Sequence, residues 1–254
     1  MNPKFSIIIP SFNQGIYITQ TIDSILNQSF QDFEILVIDG GSTDNTIEVL
    51  KSYGDLIFWV SEKDRGQTHA INKGIAYAKG EVITYLNSDD YYLDRTLEKV
   101  ASIFKLNNDI LWLTGDYLIV DEKGGKIQSA VGRYKTFFRK RLSFNLLTVL
   151  NPINQPGTFL RKELIDKIGL FNEELRYTMD YEYWLRAIKI QKPLVLNDKL
   201  AAFRIHTNSK GGSNYKRQFE EELETAMKYQ KKKILIALHA FHNKFIQMAY
   251  DLIK

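Results

Sequence analysis

FEILVIDGGSTDNT, residues 33–46, reads as an apolar strand that ends on an acid, two glycines and a run of helix-capping residues. Phe33–Ile38 is nearly continuous in apolar character, which suits a strand buried on both faces. Asp39 ends it. Gly40 and Gly41 let a ligand approach the backbone, and Ser42, Asp44 or Asn45 can cap a helix over Asn45–Tyr53. By itself the segment reads equally as an ordinary strand–turn–helix joint. The same design repeats around it. Phe5–Ile9 leads into Pro10-Ser11-Phe12-Asn13 and an amphipathic stretch, Ile16–Leu26, with Ile18, Ile22, Ile25 and Leu26 on one side. Leu56–Val60 leads into Ser61–Gly66 and a helical pattern over Thr68–Ala78, and Val82–Leu86 leads into Asn87-Ser88-Asp89-Asp90. Apolar strands alternating with helices of this length make βαβ units, hence an α/β fold with a parallel sheet covered on both faces. Ligands of such sheets lie beyond the carboxyl ends of the strands, where these unusual residues fall.

The 254 residues are 44% hydrophobic and 25% charged, which excludes a disordered or collagen-like chain and allows a sizeable core. There is no cysteine, so disulfides, thiolate zinc sites and a cysteine nucleophile are excluded, and a reducing compartment is compatible. The net charge of +4 is too mild for a nucleic-acid binder. It is locally concentrated: Arg133–Arg141 carries Arg133, Lys135, Arg139, Lys140 and Arg141 and no acid, and Lys231-Lys232-Lys233 forms a second run. The apolar run before Pro10 is too short for a signal or membrane segment, and no later run reaches the roughly 18 apolar residues of a span. The expected chain is cytoplasmic, either free or peripheral on the inner face of a membrane.

The second half is less regular. Ile110–Val120 reads as one or two strands before a turn at Lys123-Gly124-Gly125, and Arg133–Leu150 has no clear period. A short strand falls within Asn151–Leu160, a helix over Asp180–Ile190 and a strand over Ala201–Ile205. From Tyr215 to Lys254 the pattern is helical, with a break near Lys231–Lys233. The expected division is a domain over 1–212, split near residue 110 into a regular and a less regular half, and a helical tail over 213–254. In the tail Ile234, Leu235, Leu238, Phe241, Phe245, Ala249 and Leu252 share a face, opposite His239, Asn243, Lys244, Gln247, Asp251 and Lys254. That face can pack on the body, pair with a second copy or dock on a membrane; His239 and His242 are expected at the surface.

The chemistry sits in the acids at strand ends. Asp89 and Asp90 repel each other unless solvent or a cation offsets them, and hard divalent cations take oxygen ligands and share them with phosphates. A solvated helix start, with Asp94 as a further cap, fits the pair too. The phrases IIIPSFNQ, VIDGGSTDNT, EKDRGQTHAINKG, TYLNSDD and MDYEYWLR occur in that order over about residues 5 to 210. Together they resemble the family 2 inverting glycosyltransferases of the GT-A fold, a Rossmann-like, mixed but mostly parallel sheet flanked by helices. The resemblance implies a metal-dependent transfer of a sugar from a nucleotide diphosphate, UDP foremost, to a glycan or lipid-linked acceptor in bacterial surface polysaccharide synthesis. It places Pro10, Ser11, Phe12 and Asn13 against the nucleoside, Asp39 on the uracil-type base, and Arg65 near base or diphosphate. Asn87-Ser88-Asp89 takes the place of the family's Asp-x-Asp motif, with Asp89 on Mn²⁺ or Mg²⁺ and Asn87 and Ser88 near the ribose; Asn87 is a departure that removes a charge. Asp180 matches the general base, with Met179 replacing a preceding acid. His206 matches a histidine that approaches metal or diphosphate, ahead of a loop that can close over the donor. His69 receives no role.

Other enzyme classes lack their marks. No glycine-rich loop follows the first strand, as a nucleotidyltransferase needs, and there is no Gly-x-Gly-x-x-Gly, P-loop, His-Glu-x-x-His or Gly-x-Ser-x-Gly. A non-catalytic sugar-nucleotide binding module with a decayed metal motif is the alternative, for which Asn87 and Met179 speak.

Overall fold

The structure, a computed structural model, describes residues 2–127, 130–207 and 215–253. One eight-stranded sheet runs through the molecule in the order β3-β2-β1-β4-β7-β6-β8-β5. Its first half holds β1 (Phe5–Ser11), β2 (Phe33–Asp39), β3 (Phe58–Ser61) and β4 (Val82–Tyr85), all parallel, joined by α1 (Ile18–Leu26), α2 (Thr46–Ser52) and α3 (Gln67–Tyr77). The apolar runs form β1, β2 and β4 because both faces are covered, while β3, at the edge of the sheet, is only partly buried. Ile7 and Ile9 of β1 pack with Ile18, Ile22 and Ile25 of α1, while Ile8 points the other way onto Ala70 and Ile71 of α3. A Cβ on Gly74 would come within 2.4 Å of Ile8, so the glycine lets α3 lie close on β1. Pro10 completes β1 beyond its last β4 partner, Ile8, where no ladder on that side needs its missing N–H.

The second half adds β5 (Tyr91–Tyr92), β6 (Trp112–Val120), β7 (Thr158–Arg161) and β8 (Leu194–Arg204). β7 runs antiparallel to both β4 and β6, β5 is antiparallel to β8, and β6 is parallel to β8. The sheet is therefore mixed and mostly parallel, as expected. Ile110–Val120 resolves into one strand with register irregularities around Asp116. Gly124 N–H donates to Asp121 O in the expected turn. Two helices absent from the sequence reading, α4 (Thr96–Leu106) and α7 (Lys162–Ile168), cover opposite faces: Leu97, Val100 and Phe104 join the α1 side, and Leu164 and Ile165 join the α3 side.

The segment without a clear period folds as α5 (Ala130–Arg139) and α6 (Phe144–Leu147). Its period is hidden because the residue turned inward is charged. Arg139 is buried against Asp116 of β6 at 3.1 Å, and Thr136 donates to the same carboxylate. α8 (Met179–Ile190) lies on the α3 face, where Trp184 stacks on Trp112.

The tail forms α9 (Tyr215–Tyr229) and α10 (Lys233–Ile253), broken where the sequence placed the break. The first is fastened to the body: Ala226 lies in the core, Tyr229 donates to Glu182 of α8, and Gln230 reaches Thr148 at 3.1 Å. α10 corrects the expectation for its faces. His239 is fully buried with Nδ1 2.9 Å from Thr148 O, Asn243 donates to Phe219 O, and His242 is half-buried beside the Tyr134 ring. The polar side turns inward because the body offers it carbonyl acceptors, and the apolar side meets solvent. The side chains of Ala249, Asp251, Leu252 and Lys254 lie outside the described part, as does the expected boundary at 212/213. No helix among the described residues is long and apolar enough to cross a membrane.

Removing Asp116 strands a buried guanidinium whose Nε and Nη1 already lack partners. Asp116→Ala should cost roughly 3–5 kcal/mol of folding stability. An unshifted midpoint in denaturant unfolding would show that the pair is not needed.

Candidate active site

The carboxyl ends of three strands line up, Ser11 beside Asp39 beside Ser61. The loops that follow are bolted together. Asn13 adopts a left-handed conformation (φ 52°), its N–H donates to Ser42 Oγ, and its Oδ1 accepts from Thr43 N–H. Gly15 N–H donates to Asp44, and Gly40 N–H to Ser11 O. Asp39 serves this loop from within. Its Oδ2 accepts from Gly41 N–H, Ser42 N–H and Ser61 Oγ, and its Oδ1 from Ser42 Oγ. The residue is fully buried. The carboxylate is thus held within the glycine turn, where short-range N–H donors stabilise its charge. Ser11, whose hydroxyl is buried without a partner among the described residues, and exposed Phe12 stand beside it at the end of β1; Pro10 stays inside the strand.

The next loop brings up two charged groups. The Asp64 carboxylate lies against Gly40, where a Cβ would come within 2.8 Å of it, and accepts from Gly66 N–H. Arg65 sits at the rim, its guanidinium on Glu173 at 2.6 Å, and Asn72 of α3 holds the other Glu173 oxygen. His69 Nδ1 lies 3.4 Å from Arg65 N and serves this loop.

Beyond β4 the two adjacent acids part company. Asp90 turns inward and is buried, accepting from Arg204 N–H and Asn87 Nδ2; burial and the neighbouring Asp89 charge push its carboxyl well above the usual range. Asp89 turns outward. Its Oδ2 lies 2.9 Å from Nε2 of His206, which follows β8. Two residues predicted from distant parts of the chain thus meet. The Tyr17 ring flanks His206 at 4.8 Å. Asn87 is enclosed by amides: Oδ1 accepts from Gln67 Nε2 at 2.7 Å, and Nδ2 also approaches Gln155, which donates to Tyr85 O. Ser88 is buried, its carbonyl taken by Thr21. Among the described residues no group of three or more acids and histidines forms a metal cluster. The partly exposed Asp89 carboxylate, with an imidazole beside it, is nevertheless a donor set that suits Mn²⁺ or Mg²⁺. The loop expected to close after His206 lies at 208–212, outside the described residues.

Asp180 opens α8, its Oδ1 accepting from Tyr181 N–H at 2.7 Å. Burial raises its carboxyl above the ordinary aspartate range, outweighing that N–H and the nearby Lys135 charge. The helix start therefore does not lower it net, as the dipole alone would. The N-terminus of α3 ties this acid to the other: Gln67 bonds Asn87, and Thr68 contacts Met179. Tyr85 feels the charge of both Asp180 and Asp90. The cap of α8 comes from the tail, which the sequence reading missed. Glu221 of α9 accepts from the N–H groups of Arg176, Tyr177 and Thr178 and from Thr178 Oγ1. Arg204, Gln155 and Glu221 carried no motif; only the position of Arg204, two residues before His206, was a signal.

Residues 6–169 match the family described as Glycosyl transferase family 2. An uncharacterized glycosyltransferase of Rickettsia typhi is 32% identical over 207 residues, which cover 81% of this chain and 65% of that protein. Another from Haemophilus influenzae is 29% identical over 98% of this chain and 96% of its own. The chain spans 65% or less of the length of the Rickettsia relatives. Among solved structures, S. aureus TarS 1-349 in complex with UDP-GlcNAc aligns with a TM-score of 0.69 at 21% identity, over 93% of this chain and 71% of that one. Mannosyltransferase PcManGT from Pyrobaculum calidifontis, in complex with GDP-Man and Mn²⁺, aligns at 0.70 and 16% identity, over 95% and 70%. At these identities the likeness to the two structures is one of fold.

The Glu221 cap yields a pH-dependent prediction. Burial raises its carboxyl, but the N–H and hydroxyl donors outweigh that and leave it below the ordinary glutamate range. Its stabilisation is complete above that range and is lost as pH falls through the lowered value. Glu221→Ala should lose roughly 1–3 kcal/mol near neutrality, and the two proteins should converge in acid. Unfolding midpoints across pH read this directly, and a gap that widens in acid would contradict it.

Proposed function

The chain belongs to glycosyl transferase family 2 and has the GT-A fold, and from that premise we propose that it transfers a sugar from a nucleotide diphosphate donor, foremost a UDP-sugar, to a hydroxyl of a glycan or lipid-linked acceptor, with inversion. The observation that carries this reading is that Asp89 meets His206 beyond β4, while the start of α3 links the Asp89 loop to the start of α8, where Asp180 stands, through Gln67–Asn87 and Thr68–Met179. The UDP-GlcNAc of the TarS complex and the GDP-Man and Mn²⁺ of the PcManGT complex support a nucleotide-sugar substrate and a divalent ion here. We assign the product to bacterial surface polysaccharide and the reaction to the cytoplasm, which suits a chain without cysteine.

Asp180 acts as general base. Its carboxylate takes the acceptor proton while the acceptor oxygen bonds to the anomeric carbon from the face opposite the nucleoside diphosphate. The bond from that carbon to the diphosphate oxygen breaks with its electron pair, so one in-line displacement inverts the centre and no covalent enzyme intermediate is needed. The raised carboxyl of Asp180 makes it a stronger base than a solvated aspartate. Asp89 and His206 would hold Mn²⁺ or Mg²⁺, whose charge offsets that of the departing diphosphate. Ser11, Phe12 and Asn13 border the nucleoside, and Arg65 stands at the rim for base or diphosphate. Asn87 and Ser88 shape the loop that carries Asp89, and Asp39 shapes the turn beside the nucleoside.

Calorimetric titration of UDP, dTDP and GDP with and without Mn²⁺ tests the donor half. UDP binding should strengthen with Mn²⁺, and Asp89→Asn should abolish that gain; an equal gain in the variant would remove Asp89 from the metal. Asp180→Asn should keep UDP binding and slow transfer by roughly 10²–10⁴-fold. The wild-type rate should fall as acid protonates Asp180, with its limb above the ordinary aspartate range. Binding without turnover across donors and acceptors would favour the binding-module alternative.

A further inference from the structure

The apolar stripe of α10 is turned away from the body. Ile234 is 68% exposed, Leu238 45%, Phe241 72%, Phe245 63% and Met248 65%. An amphipathic helix normally buries this stripe; here buried His239 and Asn243 hold the opposite side down. α5 lies beside α10, where the Tyr134 ring stacks on His242. There Phe137 is 52% exposed beneath the Arg141 guanidinium, 4.0 Å from its ring centroid.

Cations border this surface. Lys231, Lys232 and Lys233 stand exposed at the start of α10, Lys244 within it, and Arg133, Lys140 and Arg141 on and after α5. Neither α5 nor the described side chains of α10 include an acid. The exposed acids of the tail, Glu220 and Glu224, lie on α9, matched there by exposed Lys216, Arg217 and Lys228.

We propose that the exposed face of α10, with the adjoining edge of α5, docks on a lipid surface that carries anionic headgroups. Phe241, Phe245 and the aliphatic side chains enter the headgroup–acyl boundary, and the flanking lysines and arginines meet the negative charge. A second copy fits the same stripe less well, because it would bring an equally basic rim against this one. The placement also has a consequence for the site. α5 carries Lys135, whose charge reaches Asp180, so one short helix borders both the lipid-facing surface and the base. An acceptor anchored in lipid would be delivered beside Asp180. The docking itself does not depend on the transfer reaction, and its test reads binding alone.

The full chain is mixed with vesicles of phosphatidylcholine, alone or with phosphatidylglycerol, and floated on a density gradient. It should float with the anionic vesicles, much less with the neutral ones, and be released by salt. Replacing Lys231, Lys232 and Lys233 by Gln should weaken binding on the order of a hundredfold, about fivefold per lysine. Phe241→Glu with Phe245→Glu should abolish flotation without moving the thermal transition, since both side chains are exposed. Absence of flotation on anionic vesicles would overturn the proposal, as would undiminished flotation of the double variant. So would a solution dimer that the double variant dissociates, which would give the face to a second copy.

Discussion

Arg204 is the interaction on which the site depends. A guanidinium taken out of water is stabilised only if its N–H groups are satisfied, and this one is satisfied by several parts of the chain at once. Its Nε donates to Asp89 O, its Nη1 to Glu122 O, its Nη2 to Gln20 of α1, and its own N–H to Asp90. Tyr17 and Tyr91 cover its faces. The end of β8 is thereby tied to the loop after β4, and His206, two residues on, is delivered to Asp89. The inward turn of Asp90 belongs to the same arrangement. With one acid engaged by Arg204 N–H, the other faces outward, and the repulsion expected of adjacent carboxylates appears as the raised carboxyl of Asp90.

A second constraint comes from the end of the chain. α8 starts without a side-chain cap of its own, and its first turn carries the proposed base. Glu221 of α9 holds the chain just ahead of that turn, accepting from Arg176, Tyr177 and Thr178, and Tyr229 and Gln230 fasten the end of α9 to α8 and to Thr148 after α6. The tail is thus part of what positions Asp180, while its second helix is left to face outward. The two helices divide the work by their inward chemistry. α9 presents a carboxylate to backbone N–H groups, and α10 presents an imidazole and an amide to backbone carbonyls.

The first half of the fold was legible because β1, β2 and β4 are buried on both faces and its helices on one, so runs and periods of apolar residues mark the elements. The second half was less so. In α5 the inward position is held by Arg139, which reads as surface until Asp116 is seen opposite it. In α4 Leu97, Val100, Ala101 and Phe104 keep helical spacing, but the helix starts from Arg95 in a left-handed conformation, without a conventional cap. In α10 the two faces were legible and their orientation was not, since spacing separates polar from apolar but cannot tell which side meets the body.

The sequence by itself determined the alternation of strand and helix, the side of the sheet where ligands belong, and the acids and histidine that would gather there. These are local properties: apolar period, strand ends, and motifs whose residues lie within a few positions of one another. Only the tertiary structure decided which of those residues remain available. Asp39 is held by its own turn, Asn87 by three neighbouring side chains, and Asp90 by Arg204, whereas Asp89 and Asp180 keep a side open. That allocation depends on donors brought from Ser61, Gln67 and Arg204 and on acceptors brought from Gln155 and Glu221. A polar group's availability is what remains after its hydrogen bonds are satisfied, and those partners are neighbours only once the chain has folded.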